Sequence, residues 1–305
     1  MADHTSPTRH DTVPAETTAT PMPPDGPASF VVNARFSPRG VPVITGVNRI
    51  GVFALYMKEV RRFLKVQTQT VWAPAVTTLL FLVIFTVALG REGREVLGVP
   101  FASFVAPGLI VMGMMQNAFA NSSFSLLSGK IQGTIIDLLM PPLSPGELMA
   151  GIVAAAVTRA IAVGCAVALA MALWPGVSLA LEHAWAVIWF GLMGAVLLAI
   201  LGLATSIWAE KFDHNAAITN FVIAPLSLLS GTFYVIDNLA PAFQAVSRAN
   251  PFFYVISGFR YGFLGESDIG SPADVATAAV GLGIVNVALA VAVFFLLRSG
   301  WKLKS

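Results

Sequence analysis

The sequence predicts an all-α membrane protein. Six transmembrane helices are expected, with an amphipathic interfacial helix before them and an outward re-entrant helical hairpin before the last span. Three observations carry that expectation. The 305-residue chain is 56% apolar and only 11% charged, whereas a soluble domain carries about 25% charged residues. Its apolar residues gather into runs of nineteen or more, long enough for the ~30 Å hydrocarbon core at 1.5 Å per helical residue. One stretch, Ala216–Gly265, is too apolar and aromatic for a solvent loop yet too interrupted for two full spans.

Met1–Pro27 is rich in Pro and Thr, with Asp3, Asp11, Glu16 and Asp25 against Arg9. Such a segment cannot bury enough apolar area to fold, so 1–45 is expected to be a disordered tail. It has no apolar h-region and does not read as a secretory signal. The transmembrane domain is expected over 46–305. In Asn48–Gln67, Lys58, Arg61, Arg62 and Lys65 recur at i, i+3, i+4 and i+7, one face of a helix. Val47, Ile50, Phe53, Met57, Val60 and Leu64 occupy the opposite side. A basic amphipathic helix just ahead of a span is expected to lie in the membrane surface, against lipid.

The expected spans are Val71–Leu89, Phe101–Leu127, Leu148–Leu173, Ala184–Trp208, Ala216–Tyr234 and Val275–Leu297. Orientation follows from the cations near their ends. One side collects Arg49, Lys58, Arg61, Arg62, Lys65, Lys130, Lys211, Arg298, Lys302 and Lys304. The other holds Arg91, Arg94, Arg248 and Arg260. The richer side is cytoplasmic, so both termini are expected inside a cell inner (plasma) membrane. Gly151, Ala155, Ala160, Gly164 and Ala168 line the third span with small residues that let helix backbones approach.

Ser128–Glu147 is a cytoplasmic segment of about twenty residues, far longer than a turn needs. It holds a short helical core, Thr134–Met140, stopped by Pro141-Pro142. Gly129-Lys130 is no phosphate loop, because Phe124 and Ile131 stand where that motif needs Gly and Ser or Thr. Polar groups within spans are few: Gln116, Asn117, Asn121, Arg159, Asn220 and Asn286. Gln116, Asn117, Asn121, Arg159 and Asn220 are candidates for a path or substrate contact. Arg159 has two readings, a brace for freed backbone or a contact to an anionic substrate or lipid. Intramembrane acids, which secondary transporters need, are missing from the spans. So is any catalytic set, and Cys165 and the scattered histidines make no metal site.

In the interrupted stretch, Pro225 removes a backbone donor in mid-span. Two short helices are expected after it, about Leu239–Ser247 and Phe252–Leu264, broken at Asn250-Pro251. Neither is long enough to cross. Arg260 is expected near the outer head groups, hydrated or against a phosphate.

Asn250-Pro251-Phe252-Phe253-Tyr254, followed by Ile256-Ser257-Gly258-Phe259-Arg260-Tyr261-Gly262-Phe263-Leu264-Gly265, closely resembles the final motif of ABC-2 type permeases. These are membrane subunits of ATP-driven exporters. The resemblance is closest to the bacterial inner-membrane YadH-like subgroup. It runs from about Tyr56 to the C-terminus, and Phe212-Asp213 also fits the subgroup pattern. It implies a dimer, a second permease subunit with two copies of a separate ATPase. No cofactor is implied on this chain, with ATP and magnesium held by the ATPase, and no nucleic acid is implied. The 128–147 segment resembles the family's coupling helix, which would put Ile135, Asp137, Leu138 and Leu139 at the ATPase contact. The re-entrant motif would rest on Asn250, Pro251, Gly258, Arg260 and Gly265. The implied path lies between two copies, lined from spans one, two and five, and carries an amphiphile such as a drug, lipid or lipid-linked glycan. A secondary transporter and a non-transporting scaffold are the rival classes.

Overall fold

The computed structural model describes residues 46–89, 95–96, 98–174 and 177–303. The expected disordered tail, together with Arg91, Arg94 and Lys304 from the charge count, lies outside the described residues. In chain order the helices are α1 (Arg49–Leu64), α2 (Ala73–Leu89), α3 (Phe101–Ile131), α4 (Ile135–Leu139), α5 (Pro145–Ala172), α6 (Ala184–Trp208), α7 (Phe212–Ile218), α8 (Ala224–Leu228), α9 (Pro241–Ala249), α10 (Pro251–Leu264) and α11 (Pro272–Ser299). A two-residue antiparallel hairpin, β1 (Glu95–Val96) and β2 (Val99–Pro100), joins α2 to α3.

Five helical stretches are long and apolar enough to cross a membrane: α2 with the π turn before it, α3, α5, α6 and α11. The fifth expected span, Ala216–Tyr234, is displaced. It starts at Phe212 and runs without a break through α7, a π turn over Thr219–Ile223, and α8, ending at Leu228 instead of Tyr234. Leu229 leaves helical geometry and Gly231 turns the chain at φ +78°, so the aromatic end of the expected span is not helical. On α6 the exposed tryptophans Trp185 and Trp208 mark the two ends. At 1.5 Å per residue they stand about 35 Å apart, close to the thickness that interfacial aromatics bracket.

α3 is the centre of the fold, buried along most of its length against α5, α6 and α10. Lipid chains are as apolar as leucine, so close backbone approach holds such helices together. At Gly202 of α6 a Cβ would stand 2.5 Å from the Phe119 carbonyl oxygen and 2.3 Å from Ser122 Oγ. Gly258 and Gly262 set α10 against α6 in the same way. A Cβ at Gly262 would lie 2.4 Å from Val187 Cγ2 and 2.8 Å from the Val187 backbone nitrogen. The approach lets the Gly262 carbonyl accept the N–H groups of Glu182 and His183, at 3.1 and 2.9 Å. Those donors have no partner inside α6.

The two short helices expected after the fifth span are present as α9 and α10. Their break falls at Asn250-Pro251: Asn250 Oδ1 accepts from Phe252 N at 3.0 Å, and Pro251 occupies the first helical position. Gly265 closes α10 with φ +71°. Arg260 differs from expectation. It is 0% exposed, not hydrated near head groups. Its Nη1 donates to Asp268 Oδ2 at 2.8 Å and its Nη2 to the carbonyls of Gly231 and Thr232 at 2.7 and 3.3 Å. The guanidinium carbon lies 3.9 Å from the centre of the Phe104 ring. Docking of α10 through its glycines turns Arg260 towards α3, and the chain after Gly265 folds back to supply the counter-charge.

α1 lies on α5 and buries Leu55, Val60 and Phe63. Lys58, Arg61 and Lys65 are exposed, as are Ile50, Phe53 and Leu64. Arg62 departs from the expected basic face. It turns inward to Glu59, at 2.8 Å, and to the Asn121 carbonyl, at 2.8 Å.

Two outcomes follow for stability in detergent. Gly262→Ala is expected to cost ~1–3 kcal/mol by overpacking, whereas Gly281→Ala, with open space around it, is expected to be neutral or to gain up to ~1 kcal/mol. Equal melting temperatures for the two variants would contradict the close α6–α10 contact. Asp268→Ala is expected to cost ~3–5 kcal/mol by stranding a buried charge, with much of that recovered in Arg260→Met/Asp268→Leu. A double variant as unstable as the sum of its singles would disprove the pairing.

Candidate functional site

The only breaks in the buried surface of α3 between Phe101 and Ser123 are Gln116 and Ala120, and Phe124 continues the line. These recur at i, i+4 and i+8, so α3 has one open edge. A groove of about 800 Å³ lies on one side of it, between α3 and the α7–α8 rod. Its polar wall includes Gln116, Ser123, Asp213, Thr219 and Asn220. A second groove of about 340 Å³ lies between α3 and the start of α2, with Gln69, Thr77, Thr78, Gln116 and Asn117 in its wall. Gln116 faces both.

The helices across these grooves share a local sequence. Thr68 to Ala73-Pro74 and Thr219 to Ala224-Pro225 have identical spacing, and each contains a five-residue π turn. In each, the alanine N–H reaches back five residues to the threonine carbonyl. Proline offers no N–H and its ring crowds the carbonyl four residues back, so a wider turn just before it relieves the clash. Hydroxyls then satisfy nearby carbonyls: Thr78 Oγ1 donates to Pro74 O and Ser227 Oγ to Ile223 O, both at 2.8 Å.

The structure separates the candidate path residues into groups. Gln116 and Asn220 meet in the larger groove. Asn117 borders the smaller one, where its Oδ1 accepts from Arg159 Nη2 at 2.9 Å. Asn121 lies deeper and is occupied by Arg62. Sequence reasoning did not place Gln69, Thr77 and Thr78 in a groove wall, and it noted Asp213 only as part of the Phe212-Asp213 pattern. The repeated Thr-x5-Pro spacing was the signal that points to the first three.

At the far end of α3, α4 is held by Leu138, which packs into a cluster with Leu55, Leu126 and Leu148. Leu138 is therefore an anchor, not part of an exposed contact, and Ile135 is half-buried beside it. The exposed surface of α4 is Ile136, Asp137, Leu139 and the following Met140. An apolar helix this short turns its best packing residue inward. Glu147 ties this region together. It completes a capping box with Ser144 and also accepts the Asn48 N–H at the start of α1. Asn48 Nδ2 donates to Pro142 O at 3.3 Å. Lys130 Nζ donates to the carbonyls of Ile207 and Ala209 at the end of α6. Lys302 pairs with Glu210 at 2.7 Å and holds that carboxyl below its usual range.

Residues 51–264 match the family model of the ABC-2 type transporter. The match runs from the first turn of α1 to the last residue of α10. The chain is 34% identical over 221 residues to the inner membrane transport permease YadH of Escherichia coli strain K12, covering 72% of this chain and 85% of that protein. It is 29% identical over 185 residues to nodulation protein J of Rhizobium leguminosarum bv. viciae, covering 58% of this chain and 68% of that protein. With the family model spanning α1 to α10 and the five apolar helices in place, this chain belongs to the ABC-2 type transporter family of membrane permeases.

Proposed function

We propose that this chain is the permease subunit of an ATP-driven exporter. It works as a dimer with two copies of a separate ATPase and moves an amphiphile out of the cytoplasm. The observation that carries the path is the open edge of α3. A half-buried Gln116 stands between two grooves whose other walls are helices that each carry a π turn and a proline. A second copy set against α2, α3 and the α7–α8 rod would close these grooves into a path with apolar and neutral polar walls, which suits an amphiphile better than an ion. The two acids buried among the described residues, Glu59 and Asp268, are both held by arginines. Neither is poised as a proton carrier, which weighs against a secondary transporter. The Thr-x5-Pro pair and the α4 surface give a non-transporting scaffold no use for either feature.

The α7–α8 rod is the sixth crossing in this reading. Both termini are cytoplasmic, and α9 with α10 enters from the outer face and returns to it. Ile136, Asp137, Leu139 and Met140 form the ATPase contact. Glu147 bonds both to the start of α5 and to the start of α1, so a push on α4 reaches two further helices through one carboxylate.

Asp137→Arg with Met140→Glu is expected to lower copurification of the cotranscribed ATPase at least about tenfold, equivalent to ~1.4 kcal/mol, with membrane insertion unchanged. Full-yield copurification would remove α4 from the interface. Topology is checked in a Cys165→Ala background with an impermeant thiol reagent added outside cells. Asn238→Cys and Glu266→Cys are expected to label, and Asp137→Cys and Lys211→Cys are not. Outside labelling at 211 would invert the orientation.

A further inference from the structure

The polar side chains in the wall of the α2–α3 groove are all neutral, and one cation stands behind them. Arg159 is not itself in the wall; it stands behind Asn117, which accepts from its Nη2 at 2.9 Å and does line the groove. Among the described residues, no carboxylate lies within salt-bridge distance of Arg159. Its Nε is buried and has no hydrogen-bond partner. A second guanidinium, Arg62, is close enough to act on its charge, and Arg62 is already matched by Glu59 at 2.8 Å. This part of the fold thus holds two cations and one anion. An unmatched charge inside a membrane segment is costly and marks a functional site with a missing partner. A guanidinium presents a planar fork of donors that suits phosphate oxygens.

We infer that Arg159, presented through Asn117 at the margin of the α2–α3 groove, recognises the phosphate group of an anionic amphiphile. The ligand's negative charge balances the spare cation, and its oxygens meet the guanidinium at the Nη2 edge, where Asn117 now accepts. The groove's neutral amides and hydroxyls hold the rest of the head group. This rests on the exporter reading, because it names the charge class of the cargo. Equilibrium binding needs no ATPase, so the two stand or fall separately.

The full chain is purified in dodecylmaltoside micelles containing equal amounts of dioleoylphosphatidic acid and dioleoylphosphatidylcholine, and retained lipid is counted by native mass spectrometry. The expected result is about a tenfold preference for phosphatidic acid. Arg159→Gln brings the preference to parity, and Arg159→Lys keeps part of it, because lysine retains the charge without the fork. Arg298→Gln, exposed on the last turn of α11, leaves it unchanged. Asn117→Asp serves where Arg159→Gln does not fold. It sets a carboxylate beside Arg159, so the preference is lost while the melting temperature is kept or raised. Displacement of the lipid by inorganic phosphate would assign recognition to the phosphate alone. No displacement would assign it to the phosphate with its acyl chains. Equal retention of both lipids by the unaltered protein overturns the inference. So does a folded Arg159→Gln or Asn117→Asp variant that keeps the preference.

Discussion

Arg260 brings a full positive charge into the interior, and each of its contacts ties down a different piece of chain. Asp268 belongs to the turn that leads into α11, and the Gly231 and Thr232 carbonyls to the turn after α8. The Phe104 ring belongs to the first turn of α3. Leaving any of these unmade would strand charge or carbonyls in a low-dielectric interior, at a cost of several kcal/mol per ion. The ends of the α7–α8 rod, of α10 and of α3 are therefore held in one arrangement. The glycine contacts of α10 with α6 make this possible, because they bring the backbone close enough for the arginine to reach α3. Together they give α9 and α10 a fixed seat, which a pair of helices this short could not hold by themselves.

Opposite that corner, the other side of α3 faces two helices that each carry a π turn ahead of a proline. The two proline-linked π turns flank its open edge, and a π turn places one extra residue in a helical repeat. Such a turn can revert to α geometry by moving that residue along the helix, which rotates everything beyond it. In α2 and in the α7–α8 rod this rotation would carry Thr77 or Asn220 around the groove walls without breaking the contacts of α3 with α5 and α6. In the proposed exporter, such a rotation would let one face adjust against a static bundle face as a passage opens and closes.

Much of the fold was legible in the sequence, because hydropathy and proline report directly on membrane depth and helix breaks. The second, third, fourth and sixth expected spans lie within four residues of the observed helix ends. The Asn250-Pro251 break was read correctly, since proline's constraint on its neighbour is local. The failures share a cause. Arg260, Arg62 and Leu138 were assigned by residue type, two cations to water or head groups and one leucine to a partner surface. Their real positions depend on which way a docked helix faces, and docking is set by glycines whose role appears only when the partner helix is known. Gly202, Gly258 and Gly262 look in the sequence like ordinary small residues. The fifth span erred for a similar reason: apolar composition continued to Tyr234, but Gly231 turned the chain to meet Arg260.

The two deeply placed arginines, Arg260 and Arg159, show how the fold divides its charged groups. Arg260 carries its counter-charge. A carboxylate, two carbonyls and a ring face surround it, although its Nε, like that of Arg159, has no hydrogen-bond partner. Arg159 has an amide oxygen and a repelling neighbour, and among the described residues no carboxylate within salt-bridge distance. If both were structural, both would be expected to carry a counter-charge, because evolution of a stable membrane bundle has the same reason to complete each. An aspartate at position 117 would have completed Arg159 with a change of a single atom type, yet an asparagine stands there. An internal carboxylate would compete with any anionic ligand for the guanidinium, whereas an amide positions the guanidinium without neutralising it. In the proposed exporter, Arg159 lies beside the face that carries the π turns and Arg260 at the corner with its own counter-charge, a division that would suit binding and release of a charged amphiphile.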